Sequence, residues 1–319
     1  MRDHGGNIDG AIARFGGVDW IDLSTGINRV PYPIPALQPE DWTMLPTRSA
    51  KQALLDVAAR AYRTQAPMLA VAGAQAAIQM IPLIFPQGKA RVLGPTYNEH
   101  AASLRAAGWQ VEQVSQFGQL AGADLAVVVN PNNPDGRFYA ASDLLELAGK
   151  VGRLVVDESF ADAQPALSVA PHAGMPGLLV LRSFGKFYGL AGMRLGFVIG
   201  SAADITVLEE RAGPWPVNGA ALRIGAAALA DTAWAEATVQ RLRVEVAQAD
   251  ALAQTAGWTL VGGCELFRTY DTPDAEMAQN RLAKRQIWSR IFPYSNRWLR
   301  LGLPGTAGEW ARLAQAMAT

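Results

Sequence analysis

The chain has 319 residues, 50% apolar and 18% charged, with 28 basic and 28 acidic side chains and zero formal net charge. That composition suits one large or two modest hydrophobic cores and excludes an intrinsically disordered chain. The charge balance gives no global field to gather nucleic acid or an anionic membrane, and the one cysteine, Cys264, excludes an intrachain disulfide framework and a multi-cysteine zinc site.

In chain order, residues 1–45 are rich in Gly, Pro and Asn and weakly periodic, and read as an extended arm. The start, Met1-Arg2-Asp3-His4-Gly5-Gly6, has no apolar signal region. No apolar run approaches the ~20 residues of a membrane span. These features predict a cytoplasmic protein with no nucleic-acid, membrane or metal partner. A helix is expected over 49–63, with Ala53, Leu54, Val57, Ala58, Ala61 and Tyr62 on one face. From 68 to about 200, short runs dense in Val and Leu alternate with helical patterns. The runs are 68–71, 91–93, 111–114, 125–129, 154–156, 178–181 and 197–199. Without polar alternation they suit a mostly parallel sheet buried on both faces, hence an α/β layered domain. After Pro214–Pro216 the pattern changes. Helices near 219–229 and 232–255, strands at 258–261 and 266–270, a helix at 275–284, strands at 287–292 and 298–302 and a last helix predict a smaller α+β unit. The expected division is an arm 1–45, a large α/β domain 46–215 and a small C-terminal domain 216–319.

The chemistry-bearing residues sit at the ends of the buried runs. Gly73-Ala74-Gln75 follows the first run and opens a helix, where N–H groups can meet an anion. Tyr97 follows the second run and can lie flat on a ring. Asn130-Pro131-Asn132-Asn133-Pro134 is a turn at the place where α/β folds put ligands. Asn133 there offers an amide donor. Asp157 ends a buried run and needs a cationic or N–H partner. Lys186 follows the run 178–181, with Ser183 three residues before it and Arg194 eight after it. A desolvated amine does carbonyl chemistry, while Ser183 and Arg194 suit a phosphate. A carbonyl and a phosphate on one molecule suggest pyridoxal 5′-phosphate. No Gly-x-Gly-x-x-Gly stands at the first strand–helix turn, which argues against a Rossmann dehydrogenase.

The segment Ser183-Phe-Gly-Lys186-Phe-Tyr-Gly-Leu-Ala-Gly-Met-Arg194 resembles the cofactor-lysine segment of the aspartate-aminotransferase superfamily, the fold type I pyridoxal-phosphate enzymes. The full set, Gly73–Gln75, Tyr97, Asn133, Asp157, then Ser183, Lys186 and Arg194, occurs in that superfamily's order. The resemblance implies that Lys186 carries the cofactor covalently and that Asp157 holds the proton of its ring nitrogen. Asn133 would bond its phenolic oxygen. One departure is Phe160, where many relatives have a tyrosine that also donates to that oxygen. Its loss would raise the pKa of the lysine–cofactor linkage.

His4-Gly5-Gly6-Asn7, Asp22-Leu23-Ser24-Thr25-Gly26-Ile27-Asn28, Gly262-Gly263-Cys264, Trp288-Ser289-Arg290 and Trp298-Leu299-Arg300-Leu301-Gly302 resemble the threonine-phosphate decarboxylase branch of cobalamin biosynthesis, close to histidinol-phosphate aminotransferases. This implies L-threonine O-3-phosphate as substrate and (R)-1-amino-2-propanol O-2-phosphate as product. Arg290 and Arg300 would bind the substrate's anionic groups, with His4 and Asn28 beside them. The family's subunit-interface sites imply a homodimer. Leu45-Pro46 stands where some relatives place a tyrosine that reaches the neighbour's phosphate. Two alternatives remain open: an aminotransferase for histidinol phosphate or a related amino acid, and a non-catalytic binding or assembly protein on the same fold.

Overall fold

Runs of Val, Leu and Ile without polar alternation need cover on both faces, and between residues 68 and 199 each becomes a strand. The structure is a computed structural model that describes residues 4–318; Met1, Arg2, Asp3 and Thr319, the ends of the expected arm and C-terminal domain, lie outside the described residues. In chain order the strands are β1 (Ile21–Asp22), β2 (Met68–Val71), β3 (Lys89–Leu93), β4 (Gln110–Val114), β5 (Leu125–Val129), β6 (Leu154–Asp157) and β7 (Leu178–Ser183). There follow β8 (Gly196–Ile199), β9 (Thr259–Cys264), β10 (Phe267–Asp271), β11 (Ile287–Trp288), β12 (Arg290–Phe292) and β13 (Ser295–Gly302). Contacts gather the chain into two units. The larger comprises 32–133 and 138–233, the smaller 4–31, 134–137 and 234–318.

The larger unit is built on a seven-stranded sheet of order β2-β8-β7-β6-β5-β3-β4. Pairing is parallel from β7 through β4, and antiparallel where β8 meets β7 and β2. Two antiparallel steps turn β2 back to the direction of β7. The turns after β2, β3, β5, β6 and β7, and the turn before β8, therefore all emerge at one edge of the sheet. Every residue of β5, β6 and β8 is buried. Leu69, Val92, Val127, Val155, Leu179 and Val198 form the centre of the core with Ile78, Leu104 and Trp109. The helix Arg48–Ala61 starts where the Thr47 side chain accepts from the Ala50 N–H at 3.1 Å, and it packs on the helix Gly219–Ala230.

In the smaller unit a four-stranded sheet of order β12-β13-β10-β9 is covered by helices. Its core includes Leu23, Trp258, Tyr270, Leu282, Leu299 and Leu313. The expected single strand 287–292 is two. Ile287–Trp288 pairs in parallel with Ile21–Asp22, and Arg290–Phe292 joins the four-stranded sheet beside β13. The stretch expected to be extended contains the helix Ile8–Phe15. The Asn7 side chain caps it by accepting from the Gly10 N–H at 3.0 Å, and Ala11 is buried beneath it. The segment Pro134–Arg137 lies on β9 and β10 so closely that a Cβ on Gly136 would stand 2.2 Å from the Gly263 backbone. Cys264 is a buried core residue whose thiol burial pushes up to about 12, which leaves it no nucleophilic thiolate at neutral pH. No helix among the described residues is long and apolar enough to cross a membrane.

Candidate active site

The shared sheet edge makes one cavity of about 150 Å³ in the larger unit. Gly73, Ala74, Gln75, Tyr97, Asn133, Asp157, Ser183, Lys186 and Arg194 all line it, together with Phe160, Ser159 and the apolar Ile78, Val129 and Leu195. The expected substrate residues His4, Asn28, Arg290 and Arg300 belong to the smaller unit.

Asp157 ends β6 and is 3% exposed. Burial alone pushes its carboxyl up. The His100 imidazole at 2.8 Å from Oδ2, with the Ser159 hydroxyl at 2.5 Å and N–H at 3.0 Å from Oδ1, outweighs burial and holds it below the usual carboxylate range. An ionised carboxylate has about four lone-pair sites, so these three bonds leave acceptor capacity towards the cavity. His100 and Ser159 were not singled out by the sequence. The spacing of His100 three residues after Tyr97 was the available signal, because the helix Asn98–Ala106 puts both near one end. Their rings stand edge to face at 6.2 Å.

Tyr97 is oriented at its far end. Its hydroxyl donates to Gln75 Oε1 at 3.0 Å, and Gln75 Nε2 donates to the buried Glu99 at 3.3 Å. Among the asparagines of the β5 turn, the structure separates the roles. Asn130 accepts from the Tyr139 N–H at 2.8 Å, and Asn132 accepts from Thr96 Oγ1 at 2.6 Å while donating to the Pro95 carbonyl at 2.9 Å. Both knit the turn together. Asn133 faces the cavity.

At the other end, Gly73 takes φ +75°, in the left-handed region open to glycine. A Cβ there would stand 2.6 Å from Arg194 Nη2. The glycine lets the guanidinium approach the start of the helix Ala74–Met80, where backbone N–H groups carry partial positive charge. Arg194 is itself held at φ 54°, with Nη1 donating to the Ala191 carbonyl at 3.1 Å. Ser183 and Lys186 line the same cavity, and Lys186 Nζ stands 5.7 Å from the Phe160 ring centre.

Behind the cavity, Arg182 and Glu158 adjoin Ser183 and Asp157 in sequence. The guanidinium donates to Glu158 at 2.9 Å and to Asp162 at 2.7 Å. Glu158 also accepts from the Val169 N–H at 2.7 Å and the Ser168 hydroxyl at 2.5 Å. Burial pushes the Glu158 carboxyl up, against the pull of Arg182. The pair ties the residue after β6 to the end of β7, two strands that run in parallel register.

In the smaller unit, Arg290 and Arg300 are direct partners across β12 and β13. Like charges opposite one another repel. Burial, then the charge of Arg290, pushes Arg300 down to about 10. Its Nη2 donates to the Ser24 carbonyl at 2.6 Å. Asn28 is buried, and its side-chain carbonyl accepts from Arg241 at 2.8 Å and from the Val30 N–H at 3.1 Å. His4 is exposed.

The donor set fits the cofactor that the resemblance implies. A cationic, glycine-lined end suits a phosphate, and a low-pKa carboxylate at the other end suits a pyridinium N–H. The half-buried Lys186 lines the same cavity. A model of the family described as aminotransferase class I and II matches residues 20–317. A threonine-phosphate decarboxylase of a Sinorhizobium species is 43% identical over 327 residues, covering 99% of this chain and 97% of the relative. One from Pseudomonas aeruginosa is 40% identical over 328 residues, at 99% and 97% coverage. The crystal structure of a histidinol-phosphate aminotransferase from Sinorhizobium meliloti in complex with pyridoxal 5′-phosphate matches in fold, with TM-score 0.79 at 18% identity, covering 97% of this chain and 93% of that one. On a match that spans nearly the whole sequence, the chain belongs to the class I and II aminotransferase family.

Proposed function

We propose that this chain is a pyridoxal-phosphate-dependent decarboxylase of L-threonine O-3-phosphate. The observation that carries this reading is the convergence of Lys186, Asp157, Asn133 and Arg194 on one cavity, in a chain 43% identical to a threonine-phosphate decarboxylase along almost its full length. Arg194, Ser183 and the turn Gly73–Gln75 would hold the cofactor's phosphate. Tyr97 would cover its ring, Asn133 its phenolic oxygen and Asp157 its ring nitrogen, while Lys186 would hold it covalently. When bound, the cofactor supplies an electron sink conjugated to the substrate's α-carbon.

The chain's own residues then have defined tasks. Asp157, kept ionised by His100 and Ser159, holds the proton on the ring nitrogen. Lys186, which lines the cavity, would deliver or remove a proton at the substrate's α-carbon. The cations that hold the substrate's anionic groups would orient it and so select which bond at the α-carbon is broken. Arg290 and Arg300 are proposed for its carboxylate and phosphate, with His4 and Asn28 beside them. Carboxyl-labelled L-threonine O-3-phosphate should yield labelled CO₂. Transfer of the amino group to 2-oxoglutarate without CO₂ would replace this reading by the aminotransferase one.

A doubly charged phosphate and a carboxylate need cations apart from Arg194. Charge-assisted hydrogen bonds contribute roughly 1.5–3 kcal/mol each. Arg290→Ala and Arg300→Ala should therefore each lower kcat/KM for L-threonine O-3-phosphate by at least ~10-fold, with the cofactor absorbance intact. Lysine should rescue poorly, since the planar two-pronged fork is lost. Normal turnover by both alanine variants would move the substrate site elsewhere.

We also propose a cytoplasmic homodimer. Ile34, Trp42, Met44, Leu45 and Trp215 are large apolar side chains more than half exposed on the larger unit, surface that a second copy would cover. Sedimentation at micromolar concentration should give twice the 34.1 kDa chain mass; a fully active monomer would contradict it.

A further inference from the structure

Ser24 is completely buried in the segment after β1 and faces two ways. Its hydroxyl donates to Asp22 Oδ1 at 2.6 Å, and its N–H donates to the same oxygen at 2.9 Å. An ionised carboxylate only accepts, so the hydroxyl proton is committed to Asp22 and the oxygen's lone pairs face the other way. There the Gly6 N–H donates to it at 2.7 Å. The carbonyl of the same residue takes the Arg300 guanidinium at 2.6 Å. One residue thus ties the His4-Gly5-Gly6 segment and Arg300 to a common point.

The local sequence is shaped to this contact. A Cβ on Gly5 would stand 2.3 Å from the Ser24 carbonyl oxygen, and Gly6 has φ +86°, so side chains at either position would lift the segment away. Ser24 itself cannot drift. Leu23 is bonded on one side by its N–H to the Trp288 carbonyl and on the other by its carbonyl to the Gly302 N–H, at 2.8 and 2.7 Å. The segment is therefore clamped between β11 and the end of β13, the strand that carries Arg300.

We propose that Ser24 is a positioning residue whose hydroxyl holds the His4-Gly5-Gly6 segment on the backbone that Arg300 grips, so that segment and guanidinium engage one phosphorylated substrate together. The proposal rests on the assignment of Arg300 to the substrate. Its two halves separate cleanly, because Ser24→Ala removes the tether to Gly6 and keeps the carbonyl that Arg300 uses.

The experiment uses the full-length holoenzyme, wild type and S24A. Three quantities are measured: amide hydrogen exchange at Gly6, the calorimetric Kd of L-threonine O-3-phosphate, and kcat and KM for CO₂ release. S24A loses the hydroxyl's bonds to both Gly6 and Asp22; loss of the first, a neutral bond, should speed Gly6 exchange and raise both Kd and KM by roughly 3- to 10-fold. The expected change in kcat is under about 2-fold, with melting temperature and visible absorbance unchanged. A residue that merely supports the fold would instead shift the melting temperature and leave KM alone. Unchanged exchange at Gly6, or faster exchange with unchanged Kd, overturns the proposal. If the wild type binds the compound without releasing CO₂, the decarboxylase reading falls, while the Kd of S24A still decides the tether. A wild type that does not bind it overturns both.

Discussion

Lys186→Ala is expected to lower turnover of L-threonine O-3-phosphate by about 10³-fold or more, near the upper range for a positioned acid–base group, and to abolish the covalent attachment of cofactor. Lys186 lies half-buried in the cavity, whereas Lys51 and Lys150 are paired with Glu209 and Glu146, and Lys89 and Lys284 are exposed. Borohydride treatment of the wild type should therefore fix the cofactor to the peptide containing Lys186 and to no other. The readout is a labelled peptide and a visible absorbance, so it stands apart from the activity measurement. A label on another lysine, or none, would remove the central assignment. The glycine before Lys186 bears on the same experiment. A Cβ on Gly185 would stand 2.6 Å from Ala191 Cα, so the backbone next to Lys186 is packed to contact and a side chain there would displace it.

Much of this site was legible because its residues stand at strand ends. Buried runs of Val and Leu announce strands, and turn-formers after them announce a sheet edge. Sequence alone thus places Asn133, Asp157 and Lys186 at one edge of a sheet. Direction was harder to read. Nothing in the run 68–71 says that it pairs antiparallel with β8, yet that pairing is what turns Gly73 towards Arg194. The supports were not legible either. His100 reaches Asp157 from 57 positions away, and the Glu158–Arg182 pair spans 24. Hydrogen bonds between side chains distant in sequence leave no periodic trace. The single strand read at 287–292 failed for a related reason. Its alternation is continuous, but Ile21–Asp22 captures the first two residues into a separate parallel pair. Residues 8–15 were read as arm because Gly10 and the neighbouring glycines blur a helical pattern that Asn7 nonetheless caps.

Asp157→Asn is expected to reduce kcat by roughly 10²–10³-fold, the scale for removing one fixed charge that stabilises a transition state, with cofactor retention weakened and the fold preserved. Asparagine keeps the shape and an acceptor for Ser159, so the fold survives, but the buried His100 loses its acceptor and melting temperature should fall. The charge is lost together with the Oδ2 acceptor that faces His100, and with the charge goes the reason for the ring nitrogen to stay protonated. The pH dependence has a defined sign. The folded-state pKa of Asp157 is depressed, so its contribution to stability is full above the ordinary carboxylate value of about 3.9 and is lost as pH falls through the lower folded value. The wild-type kcat profile between pH 5 and 9 should therefore carry no inflection from Asp157. Replacing His100 should bring one towards neutrality, because burial, the largest influence on this carboxyl, would no longer be offset by the imidazole. A D157N enzyme with wild-type kcat would show that the carboxylate serves only to anchor Ser159 and His100, and the electrostatic role assigned to it would have to be abandoned.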